Sequence, residues 1–229
     1  MFNRFLTIFR KDAPVQEIDA AFSDMLNIAQ EMALEASGIY WRTYPEQERV
    51  SAVSKRDIEV NKLERAIRKK ISRRLSVTRG YDVPYSLRMM SLVKDVERIG
   101  DYAKNLAQTA YLVDAPIPDD ELTVSLREIR EQVEGLIREI PRVMGEADKK
   151  RSAALTVEGR ELAKDCDRLV RRLAKGEYAT GVAVKLTLGA RYYKRIVAHS
   201  LNLLSSVIMP LHKLDYYDED DLNAMDEAP

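Results

Sequence analysis

Apolar residues recur at positions i, i+3, i+4 and i+7 along six stretches of the chain, and Gly and Pro separate these stretches at fairly even intervals. That spacing is typical of amphipathic α-helices. Pro141 is expected to bend or end the fourth helix. We predict helices over roughly 15–37, 46–76, 84–113, 119–144, 147–175 and 181–213.

The helical pattern repeats within the chain. Val60–Arg65 aligns with Cys166–Arg171, and Glu97–Leu106 aligns with Lys194–Leu203. Short connections favour antiparallel neighbours. The predicted fold is therefore all-α, with two tandem antiparallel three-helix bundles. We predict an amphipathic segment at 1–14, a first repeat at 15–114, a second repeat at 119–213 and an acidic tail at 214–229.

Composition narrows the function classes. The 229 residues carry 37 Lys+Arg and 37 Asp+Glu, so the chain as a whole is not basic. Its one cysteine, Cys166, forms no internal disulfide, and its neighbours Asp165 and Asp167 disfavour a thiolate. We find neither an apolar run long enough for a membrane span nor a signal-peptide pattern, which favours a cytoplasmic protein.

Two rows of oxygen-bearing side chains stand out on the second and third predicted helices. One row spaces its members i, i+4, i+8 and the other i, i+4, i+7, so each lies on one helix face. If the helices are antiparallel neighbours, both rows face one groove. Hard oxygen donors of this kind suit Mg, Mn, Ca or ferric iron. The rows are Glu97, Asp101 and Asn105, and Asp57, Asn61 and Glu64.

A plainer interpretation is open as well. The same carboxylates have basic neighbours on their own helices, and ion pairs on a solvated face need no metal. The neighbours in question are Arg98, Lys104, Lys62 and Arg65.

The string from Glu97 to Asn105, Glu-Arg-Ile-Gly-Asp-Tyr-Ala-Lys-Asn, resembles the signature of the PhoU family of phosphate-uptake regulators. Asp57 to Arg65 resembles the companion motif on the preceding helix. Pro84 to Arg88 is similar to a third motif, although Ser86 stands where the family has an aspartate. The resemblance covers about 15–213 and implies the same tandem-bundle fold.

The resemblance implies a metal ion or cluster: iron, zinc, manganese or magnesium. It makes Glu97 and Asp101 the leading ligands, with Asp57, Asn61, Asn105 and Glu64 as further candidates. The second repeat departs from the pattern, because Lys194 stands where Glu97 stands and Ala198 where Asp101 stands. We therefore expect at most one cluster, and Lys194 is expected to supply a cation itself by pairing with Asp167.

The resemblance also implies a role. It predicts a non-enzymatic cytoplasmic regulator of phosphate transport and phosphate-starvation signalling. Its partners would be a phosphate transporter subunit, a sensor histidine kinase, or both, and the protein would be a homodimer. Two alternatives are an accessory protein of a low-affinity or sodium-coupled phosphate transporter and, less favoured, a metal-dependent enzyme. The enzyme alternative is disfavoured because the sequence lacks the Glu-x-x-His pairs of di-iron bundles.

Two charged or aromatic segments are candidate partner surfaces. The apolar face of the first residues carries Phe2, Phe5 and Phe9 and suits a membrane surface or transporter subunit, or this protein's own bundle. The 49–79 stretch is basic, but it lacks interleaved aromatic residues, so nucleic-acid binding is disfavoured. An acidic tail could shield this face. The densest part of the basic stretch is Arg68, Lys69, Lys70, Arg73 and Arg74.

Overall fold

The computed structural model describes residues 13–42, 46–77, 83–113 and 116–214. No strand occurs among them, so the predicted all-α class is confirmed. None of the helices described is both long and apolar enough to cross a membrane. The helices are α1 Ala13–Tyr40, α2 Gln47–Val77, α3 Val83–Thr109, α4 Glu121–Glu146, α5 Lys149–Leu173 and α6 Thr180–Ile208, followed by a short 3₁₀ helix, Leu211–Lys213.

Helices α1, α2 and α3 pack on one another, and α4, α5 and α6 do the same. Ion pairs give the antiparallel register of α1 and α2: Lys70 binds Glu17 at 2.9 Å near one end, and Arg49 binds Glu35 near the other. The two units meet mainly where α3 packs along α6. This is the predicted architecture of two tandem three-helix bundles.

Contacts across the α3–α6 interface follow an approximate two-fold relation. The offset of 97 residues that aligns Glu97 with Lys194 also aligns Asp95 with Tyr192 and Tyr102 with His199. Asp95 Oδ1 lies 2.8 Å from His199 Nδ1, and the matching pair, Tyr102 and Tyr192, has ring centroids 6.2 Å apart. Tyr102 and His199, which are counterparts of each other, stack at 5.6 Å. The repeats therefore contact each other through the same face.

The ends of α3 and α6 carry a second pair of matching contacts. Arg88, near the start of α3, donates to the carbonyl of Ser206 at 3.3 Å, at the end of α6. Its counterpart Lys185, near the start of α6, donates to the carbonyl of Ala110 at 3.4 Å, just beyond α3. A cation is favourable at a helix C-terminus, where carbonyls lack intrahelical partners. Each repeat thus caps the third helix of the other.

Pro141 does not end α4, which continues to Glu146. A proline lacks the N–H that would bind the carbonyl four residues earlier. That carbonyl belongs to Ile137, and the side-chain amide of Gln30 in α1 donates to it at 3.0 Å. A contact between the repeats therefore satisfies the acceptor that Pro141 leaves open.

Two predicted helix ends extend several residues too far. Helix α6 ends at Ile208 and not at 213, because Pro210 cannot continue the helix and Met209 is extended, with φ −106° and ψ 150°. Helix α3 ends at Thr109 and gives way to turns. Helix α4 begins after Asp120, whose side chain accepts from the Thr123 N–H in a capping box.

Tyr40 fixes the end of α1 against α6. Its ring is fully buried, and its hydroxyl donates to the carbonyl of Lys185 at 3.0 Å. The next residue, Trp41, donates to the hydroxyl of Tyr193 at 3.2 Å. These aromatic residues at the end of α1 pack between the repeats. Gly189 gives Tyr40 its space, because a Cβ there would lie 2.4 Å from the Tyr40 hydroxyl oxygen.

Gly189→Ala is expected to destabilise the protein by about 1–3 kcal/mol, since the added methyl displaces a buried ring. Chemical denaturation measures the change. Gly135→Ala is the matched control: Gly135 lies inside α4 with nothing within 4 Å of its added Cβ. That variant is expected to be stabilised by up to about 1 kcal/mol, because alanine favours helix. Equal effects at the two positions would contradict this account of the Tyr40 contact.

A hydrogen bond to the titratable carboxyl of Asp19 joins α1 to the start of α3. The Tyr85 hydroxyl donates to Asp19 Oδ1 at 2.8 Å. Burial raises the pKa of Asp19 to about 6, and the Tyr85 hydrogen bond opposes this rise without cancelling it. A carboxyl with a raised folded-state pKa favours folding when protonated, and this contribution is lost as the pH rises through about 6.

Asp19→Asn is therefore expected to be more stable than the wild type above pH 6, because it removes a buried charge and keeps an acceptor for Tyr85. Allowing for the solvent that still reaches the carboxylate, the gain is about 1 kcal/mol. The difference between the two unfolding free energies should shrink towards pH 4. A difference that does not vary with pH would refute the assignment.

Candidate functional site

The groove between α2 and α3 brings together carboxylates from both predicted rows. Lys104 Nζ lies 2.7 Å from Asp57 Oδ2 and 3.0 Å from Asp101 Oδ1. The Asn61 side chain donates to the same Asp57 oxygen at 3.4 Å. Asp57 is buried, with 6% of its surface exposed, because α2 turns it towards α3. The predicted convergence of Asp57, Asn61 and Asp101 on one groove is therefore observed.

The remaining members of the rows have other neighbours. Glu97 is buried one helical turn before Asp101, and its carboxylate accepts from Lys94 at 2.7 Å. Arg98 lies between the two acids, 3.1 Å from Asp101 and 3.6 Å from Glu97.

Among the described residues, the side chains of two further candidates form no hydrogen bond or ion pair with this groove cluster. Glu64 pairs along its own helix with Arg68 at 3.0 Å. Asn105 is half-buried on α3, and its backbone carbonyl accepts from Thr109.

Lys104 is the central charge of the groove. Burial by itself would lower the pKa of its ammonium, but hydrogen bonds and charge attraction from Asp57 and Asp101 outweigh that effect and raise the pKa. The group is therefore a permanent cation at physiological pH. Of the basic neighbours considered from the sequence, Arg98 and Lys104 do pair with the acidic rows.

The donor set of the groove decides how well it suits a metal. In the part of the chain that the structure describes, two carboxylates converge with one amide, and an ammonium already lies between them. Among the described residues, no three His, Cys, Asp or Glu side chains are gathered so as to hold a metal ion. As placed, these residues fit an ion-paired groove and not a multinuclear cluster, so metal binding remains a prediction.

The second repeat carries the expected substitute. Lys194 binds Asp167 between α5 and α6, as predicted, and Arg191 lies 3.4 Å from the same carboxylate. Cys166 is buried next to this pair. Burial, and then the charges of Asp167 and Asp165, raise the pKa of its thiol to about 12, so the thiol stays protonated.

The predicted basic surface is partly neutralised. Arg68 pairs with Glu64, and Lys70 pairs with Glu17. Lys69 and Arg73 are exposed, whereas Arg74 is half-buried. The other predicted partner residues, Phe2, Phe5 and Phe9, lie outside the described residues.

Sequence reasoning missed a buried polar cluster between the repeats. Asp95, with 6% of its surface exposed, accepts at 2.8 Å from Asn202 and lies 2.8 Å from the His199 ring nitrogen. The sequence carried one signal for this cluster. Asp95 is a carboxylate among apolar positions of α3, and the aligned residue of the second repeat, Tyr192, is not an acid.

These features define a class: an all-helical protein of two related three-helix units with an ion-paired groove in the first. The PhoU domain family model matches residues 22–110. These residues include most of α1, all of α2 and α3, and therefore the whole groove. The predicted resemblance to the PhoU family is therefore confirmed for this part of the chain. A comparison with curated proteins finds no sequence match.

Two solved structures share the fold across both units. The crystal structure of PhoU from Pseudomonas aeruginosa superposes with a TM-score of 0.77 at 19% identity, covering 85% of this chain and 95% of that one. The phosphate transport system regulatory protein PhoU from Streptococcus pneumoniae gives 0.70 at 13% identity, covering 84% and 92%. At these identities the likeness bears on the fold.

The metal prediction can be tested directly at Lys104. An ion that uses Asp57 and Asp101 together has to take the place of the Lys104 ammonium. Lys104→Met is therefore expected to raise the metal content of the purified protein, and Asp101→Ala to lower it. Elemental analysis of protein purified without added metal measures both. Equal metal content in the wild type and both variants would contradict a metal site in this groove.

Proposed function

We propose that this protein regulates phosphate transport and phosphate-starvation signalling without catalysing a reaction. It acts by binding a phosphate transporter subunit, a sensor histidine kinase, or both, in the cytoplasm or at the inner membrane surface. The observation that carries the proposal is the match of residues 22–110 to the PhoU domain, together with the shared fold. One of the structures with that fold is a phosphate transport system regulatory protein.

The chemistry of the groove supports a binding role. In this groove Asp57, Asp101 and Glu97 form ion pairs with Lys104, Arg98 and Lys94. Such a groove stabilises the packing of α2 on α3 and presents a defined pattern of charge to a partner.

The exposed side of α2 is the surface we assign to the partner. It is positively charged and lies within the matched domain. Charge complementarity sets association rate and specificity more than final affinity. An acidic face on a transporter or kinase subunit is the chemistry that fits it. A homodimer, implied by the resemblance, stays a prediction.

Loss of the protein is expected to derepress phosphate-starvation genes in phosphate-rich medium and to increase phosphate accumulation. Reporter expression and phosphate uptake measure the two effects. Restoring the wild-type chain should reverse both. A chain carrying Lys62→Glu, Lys69→Glu and Arg73→Glu should not, since the charge of the α2 surface is reversed.

The control reverses three exposed bases of the second repeat, as Lys149→Glu, Lys150→Glu and Lys175→Glu. It is expected to restore regulation. Unchanged gene expression and uptake after loss of the protein would refute the role. Changed uptake with unchanged starvation genes would favour the alternative of an accessory protein for a low-affinity or sodium-coupled transporter.

A further inference from the structure

Five basic side chains form one exposed row along α2. They follow one another at steps of three, four or seven residues, so they lie on the same side of the helix. All five are exposed, and none has an acidic partner among the described residues. The row, which we call the basic stripe, consists of Lys55, Lys62, Arg65, Lys69 and Arg73.

The basic stripe is a surplus of positive charge. The other bases of α2 that have acidic neighbours form ion pairs with them, so those acids do not neutralise the stripe. Arg49 pairs with Glu35, Arg56 lies 3.7 Å from Glu31, and Lys70 pairs with Glu17. Glu59 is exposed on the same helix but offsets only part of the positive charge. A row of like charges in water attracts an acidic ligand.

The same chain contains a segment of opposite charge. Residues 215–227 include seven acidic residues and no base. The segment begins immediately after Leu214, which is buried with 7% of its surface exposed. Its origin is therefore fixed on the folded protein.

The start of the acidic segment lies at the end of the molecule that also holds Arg73, the last residue of the basic stripe. The 3₁₀ helix Leu211–Lys213 packs on α3. Arg88 binds the carbonyl of Ser206, which places the end of α6 beside the first turns of α3. Because α3 follows α2 in an antiparallel pair, its first turns lie next to the last turns of α2. Arg73, in those last turns, is the nearest member of the stripe along α2.

The length of the segment suits the stripe. From Arg73 back to Lys55, α2 rises by about 27 Å at 1.5 Å per residue. Residues 215–227 reach up to about 45 Å when extended. The acidic segment can therefore leave the 3₁₀ helix, turn onto α2 and run along the stripe.

We propose that the acidic segment 215–227 docks on the basic stripe of its own chain. Tethering raises the local concentration of such a segment to the millimolar range, so weak individual ion pairs suffice for docking. The bound segment covers the surface that an acidic partner would use, and the partner has to displace it. The docking itself is a property of the isolated chain and does not depend on the proposed function.

Carbodiimide cross-linking of the full chain, followed by mass spectrometry, tests the proposal. This reagent joins lysine amines to carboxylates that are in contact. Links are expected from the acidic segment to Lys55, Lys62 and Lys69. The control lysines are Lys149, Lys150 and Lys175, which are equally exposed on the second repeat. The stripe links should vanish near 1 M salt, where charges are screened beyond about 3 Å.

A charge-reversed variant that leaves Lys55, Lys62 and Lys69 in place tests whether the charge of the stripe causes these links. Arg65→Glu with Arg73→Glu is expected to lower the yield of stripe links about fivefold, the change expected from losing two exposed ion pairs. Arg171→Glu with Arg195→Glu, also exposed, is the matched control and should leave the yield unchanged. Circular dichroism checks that both variants fold.

Mixing ¹⁴N- and ¹⁵N-labelled protein separates the possible occupants. Links within one isotopic population support the proposal. Links that join the two populations would show that the segment docks on a second copy, and would overturn it. Equal labelling of the control lysines, or links that persist in high salt, would overturn it as well.

Discussion

The packing of α3 along α6 is the contact on which the rest of the structure depends. Helix α3 is buried over Leu92, Val96 and Ile99 among others, and one side of it faces α6 while the rest packs within its own unit. Burying that side against the equivalent side of α6 removes apolar surface from water in both units at once. Since the two surfaces are related by the repeat, several of the contacts occur in two versions, and each repeat supplies the cation that caps the other.

The interface is not symmetric in its chemistry. Asp95 has a histidine and an asparagine to bind, whereas its counterpart Tyr192 lies beside an aromatic ring. A buried carboxylate is tolerated only when it is hydrogen-bonded, because burial otherwise disfavours its charge. The cluster therefore fixes which face of α6 meets α3. An apolar pair such as Tyr102 and Tyr192 fills space with less directional preference.

The same rule explains the groove in the first unit. Asp57 and Glu97 are nearly buried, and Lys104 and Lys94 lie within hydrogen-bond distance of their carboxylates. In the second unit the acids at the equivalent positions are absent, and Lys194 with Asp167 forms the remaining pair. Acid and base have changed together between the two repeats, so that the charges between the second and third helices of each unit are paired. Outside the groove, the exposed bases of α2 are free of that constraint and available to other partners.

Helical periodicity in the sequence determined the six helices, their order and the placement of Asp57 and Asp101 on facing sides of α2 and α3. It also predicted the pair between Lys194 and Asp167, because aligned repeats imply aligned neighbours. Only the tertiary structure decided that Lys104 lies between the two acids, that Gln30 satisfies the carbonyl opposite Pro141, and that His199 binds Asp95. The physical reason is that the α-helix fixes which residues share a face through local geometry. The partner of each side chain depends on how far one helix slides and turns against another, and that register is set by the packing of the whole protein.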